Sequence, residues 1–445
     1  MDIKLPKGTK DIFLAEAEAF EQVESALINV AKMFSYASIR TPIFEHTELF
    51  TRSVGDSSDI VRKEMYTFTD KGDRSLSLRP EMTAGVIRSV VENKLDVTSD
   101  LPLKLYYVGP AFRYERPQLG RYRQFHQFGV ENIGITSPFS VAETIALGVT
   151  AFTVMGFKKV TVNINSLGDQ PTRDAYKQAL KTYFQPHLAS VCPDCQQRFE
   201  TNPLRMLDCK VPSDQALGKK APRISDFLSP ASAAYYAQVK EGLKSLSIDI
   251  VESPQLVRGL DYYSDCVFEY HMVSDKGLDY GALGAGGQYN NLVSELGGQP
   301  LKSVGFAFGL ERLIAVLSDS GRLENVKPFT DIYLISMMPE TDMYTFKLAH
   351  NFRHTNFKTE LNLEHKSMKA SIKAAVKKEA LYAVIIGDQE MKANQVTIKN
   401  LQTQEQQLVP VNEVVHLMQH LTNQAGHHHH DESEGEEAHH DEEKK

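Results

Sequence analysis

The chain has 445 residues, 42% hydrophobic and 24% charged, with a formal net charge of −8; this is the make-up of an ordinary globular protein with core enough for two or three domains. No apolar run approaches the ~20 residues of a membrane span and no signal-peptide core opens the chain, so a cytoplasmic protein without a membrane partner is expected. Charge does not exclude nucleic acid: from His427 to Lys445 eight acids against two lysines hold −6 of the −8, and a near-neutral body can carry basic patches that meet phosphates.

In chain order, Ala15 to Phe34 places Phe20, Val23, Leu27, Ala31 and Phe34 at three- and four-residue steps, which predicts an amphipathic helix. Ile39 to Glu45 reads as a short β-like segment, and Pro42, lacking an amide donor, suits an edge, an interface or a plain loop. Asp59 to Thr69 and Leu76 to Arg79 read as strands joined by a turn at Lys71 to Arg74. Pro80 then suits the first turn of a helix, with Glu81 at its electropositive start. Simple complementation of the helix dipole would account for Glu81 alone.

Tyr107 to Glu115 alternates like a strand, a basic loop follows, and a second strand begins near Arg123. A two-residue period sets Arg123, Phe125, Gln127, Gly129 and Glu131 on one face and Gln124, His126, Phe128 and Val130 on the other. A face carrying a guanidinium, a ring, an amide and a carboxylate in file reads as the floor of a site. A helix from about Val141 to Met155 and a strand from Lys159 to Asn165 come next.

Residues 170–250 are helical in pattern and lysine-rich, and hold Cys192, Cys195 and Cys209 of the four cysteines; they are expected to form an inserted helical subdomain. Only Cys192 and Cys195 have metal-ligand spacing and no second CxxC follows, so no metal site is assigned and reduced thiols are expected; zinc would require a further ligand. Val267 to Tyr270 reads as a strand. The Gly-rich stretch Gly281 to Tyr289 is neither a Walker A loop nor GxGxxG and says only that backbone passes close to something. Val304 to Leu317 reads as strand, glycine and helix, with Arg312 in the first turn. A cation opposing the helix dipole suggests a nearby anion, or else a salt bridge to a core carboxylate.

From residue 327 strands and helices alternate as in a compact α/β domain. Strands are expected at Asp331–Met337, Lys358–Glu364, Tyr382–Gly387 and Gln395–Leu401, and helices at Asp342–His354, Ser367–Leu381 and Val411–Leu421. The lysines of the second helix read as a solvated face. Residues 425–445, rich in histidine and acid, are expected to be disordered.

The chain resembles a class II histidyl-tRNA synthetase. Pro6 to Asp11, Ile39 to Phe50 (motif 1, the dimer segment), Phe112 to Glu131 (motif 2) and Gly305 to Leu317 (motif 3) carry the likeness. So do the two segments that set the histidyl enzyme apart, Leu256-Val257-Arg258-Gly259-Leu260-Asp261-Tyr262-Tyr263 and Ala285-Gly286-Gly287-Gln288-Tyr289. The resemblance implies an α+β fold: an antiparallel-sheet catalytic core over 1–325, with the 170–250 insertion, and an α/β anticodon-binding domain over 327–424. It also implies ATP with Mg2+, L-histidine and tRNA(His) as partners, and a homodimer. By this likeness Arg113 and Arg258 act at the α-phosphate, and Glu115, Arg121, Phe125 and Arg312 bind ATP together with Arg113. Glu81, Thr83 and Gln127 take the α-amino group of histidine, Glu131, Tyr262 and Tyr263 its imidazole side, and Arg116 and Gln118 face the acceptor end of the tRNA.

The chemistry implied, attack of the substrate's own carboxylate on the α-phosphate, needs no protein nucleophile, which agrees with the lack of a triad here. It needs alignment of the reactants and cations where negative charge develops, and guanidinium suits phosphate better than ammonium. Met82 and Asn290 depart from the glycine and aspartate usual at their positions; tuning of the pocket is expected. The competing readings are a silent synthetase-like regulatory subunit of histidine biosynthesis, which would lack the C-terminal domain and key charges, and a sister class II synthetase, against which Arg258 to Tyr263 argues.

Overall fold

The computed structural model describes residues 3–55, 58–117, 120–157, 159–273, 279–323 and 330–431. Its strands are β1 (Ala37–Ser38), β2 (Phe44–His46), β3 (Thr67–Thr69), β4 (Ser75–Leu78), β5 (Leu103–Phe112), β6 (Gln124–Ile133), β7 (Thr161–Ser166), β8 (Ile250–Glu252), β9 (Ser264–Val273), β10 (Asp279–Gln288), β11 (Ser303–Gly309), β12 (Ile332–Ser336), β13 (Thr359–Asn362), β14 (Tyr382–Ile386), β15 (Gln395–Asn400) and β16 (Gln406–Pro410). The chain divides into two compact units, Met1–Asn325 and Val326–Lys445.

The first unit is built on an eight-stranded sheet in the order β1-β5-β6-β11-β10-β9-β7-β8. It is antiparallel except for β1 against β5 and β7 against β8. The period of two in β6 divides that strand as the sequence predicts. Phe128 and Val130 enter the larger core, with Phe20, Val23 and Leu27 of the helix Ala15–Met33 and buried residues of the helices Pro138–Val154 and Leu310–Asp319. The opposite face of the sheet is left for the polar side chains. The Gly-rich stretch is β10, a central strand, so what its backbone approaches is first of all its neighbours β9 and β11.

Several local expectations are corrected. Ile39–Ile43 is not a strand; it lies between β1 and β2, tied down by the buried Arg79 guanidinium, which donates to the carbonyls of Thr41, Pro42 and Pro110. Ile60–Glu64 is a turn of π-helix, because Ile60 packs on Leu49, Phe50 and Val54 instead of continuing a sheet. The helix after Pro80 begins only at Thr83. β5 ends at Phe112, so Arg113 and Glu115 lie beyond it.

Residues 170–250 are helical up to β8, with helices Gln170–Phe184, Pro193–Thr201, Pro212–Gly218 and Pro230–Ser245. The last of these is less separate than the sequence pattern suggests, because Tyr236, Val239 and Leu243 belong to the core beneath the large sheet.

The second unit is a five-stranded sheet in the order β13-β12-β14-β15-β16, parallel through β13, β12 and β14 and antiparallel thereafter. The helix Asp388–Ala393 and strand β16, both short, are additions to the expected pattern. The closing helix, expected to stop at Leu421, runs Val411–Asp431 and so enters the tail expected to be disordered; the rest of that tail lies outside the described residues.

Candidate active site

A cleft of about 360 Å³ opens over the polar face of β6, β10 and β11. Its lining brings together Arg113, Arg258, Glu81, Thr83, Gln127, Glu131, Tyr262, Tyr263, Glu115, Arg121, Phe125 and Arg312, residues from segments far apart in sequence. Arg116 is exposed in the hairpin loop and outside this lining, and Gln118 lies outside the described residues. Arg123, expected on the same face, instead stacks its guanidinium 3.7 Å over the ring of Tyr114.

From Phe125 to Glu131 the strand covers roughly 20 Å at ~3.3 Å per residue, and the character of the cleft changes along it. At the Glu131 end it is acidic and hydroxyl-lined. Glu131 is 1% exposed. Its Oε1 accepts hydrogen bonds from Thr83 Oγ1 at 2.7 Å and Tyr107 Oη at 3.2 Å, and its Oε2 accepts from Tyr289 Oη. Burial, with the charge of Glu81 adding to it, pushes the carboxyl up to about 8 against the pull of the hydroxyls.

Two glycines make this arrangement possible. Gly305 faces Glu131 across the β6–β11 ladder, and a Cβ there would lie 1.9 Å from Glu131 Oε2. Gly129 pairs with Tyr107, and a Cβ there would lie 2.3 Å from the phenol carbon and oxygen. Both approaches are far inside van der Waals contact, so only glycine leaves the carboxylate and the phenol where they are.

Glu81 sits at the start of the helix Thr83–Glu92, and its carboxylate accepts from the Thr83 and Ala84 amides at 2.7 and 2.9 Å. The dipole-complementing role is therefore real, yet the same side chain also lines the cleft. Burial pushes its carboxyl up. Gln127 Oε1 is buried with no hydrogen-bond partner among the described residues, an open acceptor in the same cleft as Glu81 and Glu131.

Toward the hairpin the cleft is cationic. Arg113 donates through Nε to the Pro80 carbonyl at 2.8 Å and lies 5.3 Å over the Phe125 ring. Arg121 is 3.6 Å from Glu115. Arg312 donates to the Tyr280 carbonyl at 2.7 Å, and among the described residues no carboxylate pairs with it, which removes the salt-bridge explanation. Burial and then the like charge of Arg121 lower its pKa, the condition of a site short of an anion.

Arg258 comes from the far wall. Its Nη1 donates to Glu269 Oε1 at 2.5 Å, it lies 5.6 Å over the Tyr263 ring, and its Nε is buried without a partner among the described residues. Burial would raise Glu269, but the bond from His271 and the charge of Arg258 outweigh it and hold the carboxylate below its usual range. Arg258 and Arg312 each donate to one acceptor, Arg113 donates to the Pro80 carbonyl and lies 4.0 Å from Glu115, and all keep donors for a ligand.

Tyr107, Tyr289 and Glu269 complete the site although sequence reasoning gave them no role. Only Tyr289 had a signal, its place at the end of the Gly-rich segment. Met82 is buried and lines the cleft, packed with Tyr107 and Tyr262 in the second core cluster. Asn290 is outside the lining and bonds Asp265.

The geometry is joined by likeness to known proteins. Residues 8–313 match the family model for histidyl-tRNA synthetase, and residues 331–421 that for an anticodon binding domain. A histidine–tRNA ligase of Staphylococcus epidermidis is 48% identical over 417 residues, covering 93% of this chain and 98% of its own. One of Lysinibacillus sphaericus is 44% identical over 421 residues, covering 94% and 99%. The crystal structure of apo S. aureus histidyl-tRNA synthetase superposes with a TM-score of 0.79 at 38% identity, covering 94% of this chain and all of that one. A structure from Bacillus halodurans, described as an ATP phosphoribosyltransferase regulatory subunit/histidyl-tRNA synthetase, shares the fold at a TM-score of 0.63 and 21% identity. With a family model spanning most of its length and relatives this near over nearly all of it, the chain belongs to the histidyl-tRNA synthetase family.

Proposed function

We propose that the protein activates L-histidine with ATP to histidyl-adenylate and transfers the histidyl group to the 3′ end of tRNA(His). The observation that carries this is the polarity of one cleft: a buried carboxylate–hydroxyl pocket at one end and three arginines at the other, with Arg258 reaching in from the opposite wall. Histidine lies with its imidazole toward Glu131, Tyr262 and Tyr263. Its ammonium meets Glu81, Thr83 and the open acceptor of Gln127.

ATP lies toward the hairpin, its adenine on Phe125 and beside Glu115, its terminal phosphates near Arg121 and Arg312. Mg2+ carried with ATP would neutralise part of the phosphate charge, and Glu115 and Glu311, which line this end of the cleft, are the carboxylates that would meet it. A carboxylate oxygen of histidine bonds to the α-phosphorus and the bond to pyrophosphate breaks. Arg113 and Arg258 flank that phosphorus and meet the charge that develops there, without reorganising. Arg116, exposed in the hairpin loop, faces the tRNA acceptor end, a role the family likeness gives to Gln118 as well.

The regulatory-subunit reading is disfavoured by the anticodon-binding domain match and by the full set of charges in the cleft. A homodimer through the motif 1 region is supported by large apolar side chains left exposed there, Ile43 and Phe44, with exposed Phe68 of β3 against Phe44. A cytoplasmic location is consistent with the finding that no helix among the described residues is long and apolar enough to cross a membrane. Charging of tRNA(His) transcript with labelled histidine tests the whole proposal; folded protein that forms no histidyl-tRNA would overturn it.

A further inference from the structure

Away from the cleft, the insertion gathers three cysteines and an aspartate that the proposed reaction does not use. Cys192 immediately precedes the helix Pro193–Thr201 and Cys195 lies in its first turn. Cys209 closes the 3-10 turn Pro203–Asp208, and Asp214 lies in the first turn of the helix Pro212–Gly218. Three separate turns thus aim one ligand atom each, or two in the first case, at a common point, and the four atoms all lie within 4.8 Å of one another.

Two of the edges of this cluster have the length expected around a tetrahedral metal, and Cys192 and Cys209 are too far apart for a disulfide. With Zn–S of about 2.3 Å and Zn–O of about 2.0 Å, tetrahedral angles give an S···S edge of about 3.8 Å and an S···O edge of about 3.5 Å. Cys192 Sγ and Cys209 Sγ are 3.8 Å apart, and Cys209 Sγ and Asp214 Oδ2 are 3.4 Å apart. A disulfide would require ~2.05 Å between sulfurs, and all four cysteines are free.

Backbone supports the ligands as the outer shell of a metal site does: the Val211 amide points to Cys209 Sγ at 3.5 Å, and the Cys192 amide donates to Asp214 Oδ2 at 3.0 Å. Cys195, Cys209 and Asp214 are buried while Cys192 remains partly open, which leaves an entry path.

We infer that Cys192, Cys195, Cys209 and Asp214 form a closed structural zinc site, and that the ion fixes the part of the insertion that braces the active-site wall. The bracing contacts spring from between the ligands. Arg198, three residues after Cys195, pairs with Asp59 at 2.8 Å, just ahead of the π-turn Ile60–Glu64 whose Glu64 carbonyl receives the Tyr114 amide of the hairpin loop. Arg205, between Cys195 and Cys209, donates to the Gly259 carbonyl at 3.3 Å, next to Arg258. The ion therefore stands behind both walls of the cleft without touching a substrate.

The test compares metal retained after exhaustive dialysis by the full chain and by its Cys192→Ser and Asp214→Asn variants, all carrying the same histidine-rich tail. Wild type is expected to keep about one zinc more per chain than Cys192→Ser, and cobalt-loaded wild type to show thiolate-to-cobalt charge transfer and tetrahedral d–d bands that the variant lacks. Equal metal in wild type and both variants, or cobalt spectra without charge transfer, would overturn the site. Should a variant not fold, wild-type protein still decides. With a chelator the three thiols become reactive to a thiol reagent under native conditions while the fully buried Cys266 does not; reaction at the same rate without chelator, or a Cys192–Cys209 disulfide in protein purified without oxidant, refutes the proposal. The readout is metal content and not activity, so it stands or falls apart from the proposed reaction.

Discussion

Replacing Glu131 by glutamine keeps the shape of the side chain and removes its ability to ionise. In the folded protein this carboxyl is pushed from an ordinary 4.5 up to about 8, chiefly by burial. An acid whose pKa is raised on folding binds more protons folded than unfolded, so its ionisation destabilises the fold as pH climbs from about 4.5 to about 8. At about 1.36 kcal/mol for each pH unit in that interval, the ceiling is roughly 5 kcal/mol; relaxation around the site reduces it to a few.

Glutamine escapes that cost but cannot accept on both sides. Thr83 and Tyr107 donate to one oxygen and Tyr289 to the other, so one hydroxyl must turn, at about 1 kcal/mol. Urea unfolding without ligand should therefore find Glu131→Gln within about 1 kcal/mol of wild type at pH 5, and more stable than wild type by roughly 2 kcal/mol at pH 9. At pH 9, where the wild-type carboxylate is ionised, its kcat/KM for histidine should fall by about 100-fold, with the KM for ATP little changed, as expected when a charge-assisted bond to the substrate is lost. A stability difference that does not vary between pH 5 and pH 9 would show that the carboxyl ionises normally, and the reasoning about this pocket would fail.

Gly305→Ala places a methyl 1.9 Å from the same carboxylate; it should destabilise the fold by roughly 1–3 kcal/mol and impair histidine use more than ATP binding, a split that steady-state kinetics reads. Tyr107→Phe removes one of the three hydroxyls and should lower kcat/KM for histidine about 5- to 10-fold, in line with one buried hydrogen bond; no change would place recognition elsewhere. Arg258→Ala should abolish most adenylate formation while ATP binding, measured by calorimetry, stays close to wild type. Arg312→Ala should instead raise the KM for ATP, since among the four cleft arginines it is the one with no carboxylate partner among the described residues.

The floor of this cleft was legible because a strand's period is two: Phe125, Gln127 and Glu131 had to share a face, and the structure puts the cleft on it. Segments such as 60–64 were not legible, since Ile60 and Val61 beside polar residues suit a strand as well as a helical turn, and packing on Phe50 and Val54 decides. Tyr107 carried no sign of its position over Glu131, because what puts it there is Gly129, the partner set by the β5–β6 register. Asp214 was equally hidden. Only Cys192 and Cys195 had ligand spacing in the sequence, and an acid in a separate helix joins the three thiols only once that helix folds back on Cys209.

The measurement that bears most directly on the central claim is ATP–pyrophosphate exchange by the purified protein, with each of the common amino acids supplied in turn and no tRNA present. Exchange with histidine alone is predicted, because the carboxylate–hydroxyl pocket around Glu131 leaves its buried groups unpaired against any other side chain. Absence of histidine-dependent exchange in folded protein, or exchange driven equally well by another amino acid, would contradict it.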